Sequence, residues 1–146
     1  MARGALALHR GDTAAAEAEL QQGIRTWCEV DAPYEGFFVA FSQPDDAVNC
    51  ATAIQRALAQ HRADHGFAPT VRVGLHGGEA TARDHDYFGS AVPRAARISA
   101  AAGGGEVLVS ADLVASCGRE VPVVEERTLD LKGIAGPVPA MLVAWS

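Results

Sequence analysis

The sequence predicts an α+β domain in which a mixed or antiparallel sheet packs against helices. An apolar stripe at helical spacing, Ala47, Cys50, Ala51, Ile54, Ala57 and Leu58, lies between Pro44 and Gly66. Short apolar runs at Val71 to Leu75 and Glu106 to Val109 alternate with helical segments. The C-terminal segments Val121 to Leu131 and Val138 to Trp145 read as a terminal pair of strands. Strands that alternate with helices but also form hairpins belong to the α+β class.

In chain order, Asp12-Thr13 is an N-cap candidate ahead of Ala-Ala-Ala-Glu-Ala-Glu-Leu, and that helix is expected to reach Arg25. Trp27 to Ala32 and Glu35 to Ser42 are expected strands around Pro33-Tyr34. The run Phe37-Phe-Val-Ala-Phe41 suits a strand covered on both faces. Pro44-Asp45-Asp46 opens the next helix, with acidic residues favourable at the positive end of its dipole. Gly66 stops it, and Pro69 prevents continuation. Val71 to Leu75 is a strand, and Gly77-Gly78 permits a bend after it. A loop is expected over Arg83-Asp84-His85-Asp86, then a helix from Ala91 to Ala102 closed by Gly103-Gly104-Gly105. Glu106 to Val109 is the next strand, and Ser110-Ala-Asp112 caps a short helix.

A chain of 146 residues is one domain by size, and 49% hydrophobic with 21% charged residues suffices for a core. A formal net charge of −6 disfavours a nucleic-acid surface, which needs clustered Lys and Arg. No basic amphipathic stretch suits a membrane surface, and no apolar run reaches spanning length. Cys28, Cys50 and Cys117 have no C-x-x-C spacing, so they read as thiols of a reducing compartment and a cytoplasmic location is expected.

Tyr34-Glu-Gly-Phe-Phe-Val-Ala-Phe41, Val71-Arg-Val-Gly-Leu-His-Gly-Gly-Glu79, Asp86-Tyr-Phe-Gly-Ser-Ala-Val-Pro-Arg-Ala-Ala-Arg97, Gly104-Gly-Glu-Val-Leu-Val-Ser110 and Leu131-Lys-Gly-Ile134 with Pro137-Val138 follow one another in this order. Together they resemble the catalytic domain of the class III adenylate/guanylate cyclases, from about Asp12 onward. The resemblance implies a ferredoxin-like cyclase homology domain with helices on one face of the sheet. It also implies that the chain begins after the family's first strand, leaving an open edge beside Phe37 to Phe41. It further implies paired domains, as a homodimer or a heterodimer with another cyclase domain. Such pairs convert a nucleoside triphosphate into a cyclic nucleotide and pyrophosphate. Two magnesium or manganese ions assist by easing deprotonation of the 3′-hydroxyl and neutralising the polyphosphate.

Carried over residue by residue, the resemblance keeps some positions and changes others. Arg97 matches the transition-state arginine, Asp86 the purine-reading aspartate, and Lys132 a phosphate-binding lysine. Glu35 stands where the second metal aspartate is expected; it keeps an oxygen ligand, but its carboxylate is one methylene further out, and magnesium demands near-ideal geometry. The first metal aspartate has no counterpart, since Asp12 reads as an N-cap. Asp31 replaces the purine-reading lysine and Pro93 the ribose asparagine. Proline is tolerated in a first helical turn, so the fold survives while the hydrogen-bonding side chain is lost.

The expected function is therefore a cyclase-like pairing or nucleotide-sensing module, impaired in catalysis and binding ATP rather than GTP. The alternative is an active adenylate cyclase whose metal ligands are completed by a partner chain or an upstream segment. His76, His85, Asp84 and Asp86 have no spacing that fixes a metal site on one face. The glycines at 103–105 follow a helix and precede a strand, the reverse of a phosphate loop.

Overall fold

The computed structural model describes residues 40–78, 81–83, 86–88 and 91–146. The helix proposed over 12–25, the strand proposed over 27–32, most of the strand proposed over 35–42 and the edge beside Phe37 to Phe41 lie outside these residues. Residues 40–43 are described and are not strand: the chain is irregular there until the next helix begins.

Helix α1, Pro44–His65, starts on Pro44 with Asp45 and Asp46 in its first turn. It stops at Gly66, whose backbone has φ 78° and whose N–H donates to Arg62 O at 2.8 Å. Its buried residues are Ala47, Val48, Ala51, Thr52, Gln55 and Leu58. The stripe is thus turned toward Val48 and Gln55, while Cys50, Ile54 and Ala57 are only half-buried. The buried Gln55 amide has work for its donors: Nε2 donates to Val71 O at 3.0 Å and to Glu106 O at 3.3 Å.

The remaining elements are β1 (Val73–Leu75), β2 (Thr81–Arg83), β3 (Asp86–Phe88), α2 (Ala91–Ala101), β4 (Val107–Ser110), α3 (Ala111–Ser116), β5 (Val123–Leu129) and β6 (Val138–Val143). A four-stranded sheet has the order β1-β4-β6-β5. β1 and β4 are parallel, with Val73 opposite Val107 and Leu75 opposite Val109. β6 is antiparallel to both β4 and β5, and a register shift at Val123/Glu125 interrupts the β5–β6 pair. The mixed sheet with helices is the expected α+β class.

Two expectations need correction. The segment read as a loop over 83–86 carries the antiparallel β2–β3 hairpin, with Arg83 opposite Asp86. The helices also lie on both faces of the sheet, not one. Val107 and Val109 pack with Val48 and Ala51 of α1 and Leu113 of α3, whereas Leu108 packs with Ile98 and Ala102 at α2. Successive strand residues point to opposite faces, so all of β4 is buried.

α2 approaches β1 closely at Gly74, where an added Cβ would stand 2.8 Å from Ala95 O and closer still to the Ser99 backbone. Ser110 holds the N-cap position of α3 but makes no side-chain cap bond there, and its buried Oγ has no hydrogen-bond partner among the described residues. No helix among the described residues is long and apolar enough to cross a membrane.

Candidate functional site

The site is built where α2 meets the turn between β5 and β6. Ile98, the neighbour of Arg97, is fully buried, and Leu131 is buried in the same apolar cluster. That shared core fixes α2 against the turn. The turn itself is closed by Ile134 N–H donating to Leu131 O at 3.0 Å. Lys132 and Gly133 are exposed within it.

Arg97 is half-buried and has no hydrogen bond or ion pair among the described residues. Its guanidinium lies over Gly133: a Cβ added there would stand 3.2 Å from Nη1 and 3.4 Å from Nη2. Gly133 also has φ 76°, a left-handed conformation that L side chains rarely adopt. The fold therefore brings Arg97 to the turn that carries Lys132. A guanidinium left unpaired among the described residues is suited to an anion, above all to phosphate oxygens that accept in a fork, and Lys132 stands on the same turn.

Asp86 begins β3, in the hairpin that precedes α2. Pro93 is exposed near the start of α2, in the first turn where its missing N–H costs no bond, and Arg94 is exposed as a surface charge. Glu35, Asp31 and Asp12 lie outside the described residues. Among the described residues no group of three or more His, Cys, Asp or Glu side chains is placed to hold a metal ion.

His76 follows β1 and is half-buried beside the start of α2. Its Nδ1 is buried without a hydrogen-bond partner among the described residues. Burial, reinforced by the Arg94 charge and opposed by Asp112, holds its pKa below the usual histidine value. Gly104 and Gly105 form the turn that leads from α2 to β4; Gly103 N–H donates to Glu106 Oε2 at 2.7 Å, and Gly105 has φ 81°.

Gly133 is the residue that motif reading passed over. Its signal was present in Leu131-Lys-Gly-Ile134, where a glycine follows a lysine between two strands; the φ value and the approach of Arg97 are tertiary facts.

No protein-family model matches the chain. An uncharacterized protein of Mycobacterium tuberculosis is 42% identical over 81 residues, which is 53% of this chain and 26% of that protein. An adenylate cyclase of Podospora anserina is 40% identical over 65 residues, 40% of this chain and 3% of that protein. The chain thus spans about a quarter or less of the length of these curated relatives. The crystal structure of an adenylate/guanylate cyclase/hydrolase from Silicibacter pomeroyi superposes with a TM-score of 0.56 at 26% identity, covering 73% of this chain and 66% of that one. The described residues have the fold of the class III adenylate/guanylate cyclase domains, and the chain is similar to members of that group in sequence.

Proposed function

We propose that this chain is a nucleotide cyclase-like module that binds a nucleoside triphosphate weakly, ATP in preference to GTP, and pairs with a second cyclase domain while turning over little or no substrate itself. The observation that carries this reading is on α2. Arg97 is unpaired among the described residues and lies over the Lys132 turn, while Pro93, one helical turn earlier, stands where the resemblance expects the ribose asparagine. The cation that meets phosphate is kept; the side chain that orients the sugar for attack is gone. Binding and orientation contribute separately to catalysis, so losing the second leaves the first.

Charge supports weak binding. Asp31, Glu35 and Asp86 sit at positions that the resemblance assigns to the nucleotide site, and each carboxylate near a polyphosphate costs about 1 kcal/mol per contact pair in water, more in a cleft. The test is calorimetric titration of the purified chain with ATP and GTP. Weak ATP binding is expected, and Arg97→Ala should weaken it by about 1.5–3 kcal/mol, the worth of a charged hydrogen bond. Equal affinity in the parent chain and Arg97→Ala would remove Arg97 from the site.

A further inference from the structure

We infer that Gly133 is a positioning residue for Arg97, and that the Leu131–Ile134 turn is the seat that sets where the guanidinium meets phosphate. This rests on the reading of Arg97 as the phosphate-facing cation and adds the element that places it.

Three observations converge. Nothing else among the described residues holds the Arg97 head, which has neither hydrogen bond nor ion pair there. The surface beneath it is the Gly133 backbone, and a Cβ at 133 would fall within 3.2–3.6 Å of Nη1, Nη2 and Cζ. The 3.2 Å approach to Nη1 is tighter than ordinary contact, so the guanidinium, the far end of a flexible side chain, would have to give by a few tenths of an ångström. A side chain at 133 therefore moves Arg97 and leaves the core intact. The separation of helix and turn is itself fixed, because Ile98 and Leu131 share one buried cluster. Lys132 stands on the same turn, so the seat that places one cation also carries the other.

A matched control exists in the same connection. Gly136 has φ 79° but, among the described residues, nothing within 4 Å of an added Cβ. Gly133→Ala and Gly136→Ala thus carry the same left-handed backbone cost, and only the first reaches Arg97.

The experiment uses the full chain with two readouts. The first is the solvent exchange rate of the Arg97 Nε–H by nitrogen-15 NMR, assigned by its disappearance in Arg97→Lys. The second is ATP binding by calorimetry. Expected results are an altered Nε–H exchange rate and about tenfold weaker ATP binding in Gly133→Ala, with Gly136→Ala like the parent in both. The double variant Arg97→Ala/Gly133→Ala should bind no more weakly than Arg97→Ala alone, since Gly133 acts through Arg97. If Gly133→Ala does not fold, Gly133→Asn replaces it, because asparagine tolerates the left-handed conformation while still bringing a Cβ to Arg97. Unchanged Nε–H exchange in the 133 variants, equal effects at 133 and 136, or additivity in the double variant would overturn the inference. Absence of ATP binding by the parent would reject the functional reading instead, and the exchange rates would still decide whether Gly133 seats Arg97.

Discussion

Gly74 of β1 lies directly against the backbone of Ser99 in α2, so close that a single added carbon has no room. The atoms it would meet are main-chain atoms of Ser99 and Ala95, which cannot swing aside as a side-chain end can. Gly74→Ala is therefore expected to destabilise the fold by about 3 kcal/mol, at the upper end of overpacking costs. Urea unfolding of the variant checks this; a loss below about 1 kcal/mol would mean that α2 is not packed on β1 at that spacing.

Ile98 of α2 has no exposed surface and shares a buried cluster with Leu108 of β4 and Leu131 of the turn that carries Lys132. Ile98→Ala should cost about 2–5 kcal/mol through lost burial and the cavity left behind. It should also loosen the placement of Arg97, so ATP binding should weaken in chain that remains folded. Unfolding curves and calorimetry on one preparation separate the two effects.

His76 predicts an acid sensitivity. Its folded pKa is held below the usual value of 6.5, so the folded chain binds fewer protons at this site than the unfolded chain. Stability should be flat above about pH 6.5 and fall as the pH drops from there toward the folded value. His76→Gln should flatten that part of the profile. An unchanged slope in the variant would place the titration elsewhere.

Glu106 acts in a lower window. Arg127 reaches it in a fork, with Nη1 to Oε2 at 2.8 Å and Nη2 to Oε1 at 3.0 Å, and the Gly103 N–H adds a further bond to Oε2. These bonds hold the carboxyl below 4.5, so its stabilisation is complete above that pH and is lost as the pH falls through the folded value. Glu106→Gln should lower the melting temperature at neutral pH, and the gap to the parent should close in acid. A gap of constant size at all pH values would assign the effect to packing instead of charge.

Much of this fold was legible because its signals are local. Pro44, the two aspartates after it and Gly66 mark the ends of α1 chemically, and Val107-Leu-Val109 is apolar without a break because both its faces are covered. That same run was the available sign that helices occupy both sides of the sheet. The β2–β3 hairpin was not legible: its strands are three residues each, too short for any alternation to distinguish them from a loop. Arg97 could be picked out by its place after the Asp86 motif. Its relation to Gly133 could not, because those residues are brought together by a core formed from Ile98, Leu108, Leu131 and Ala140, which no local pattern connects.

Loss of turnover with retention of weak binding is the central claim, and cyclic nucleotide production tests it most directly. The purified chain would be incubated with ATP or GTP and magnesium or manganese, alone and mixed with a competent cyclase domain, and the products resolved by mass spectrometry. The account predicts no detectable cyclic nucleotide from the chain alone, and a gain when Pro93→Asn, Glu35→Asp and Asp31→Lys are combined. Robust cyclic AMP formation by the unaltered chain on its own would contradict it.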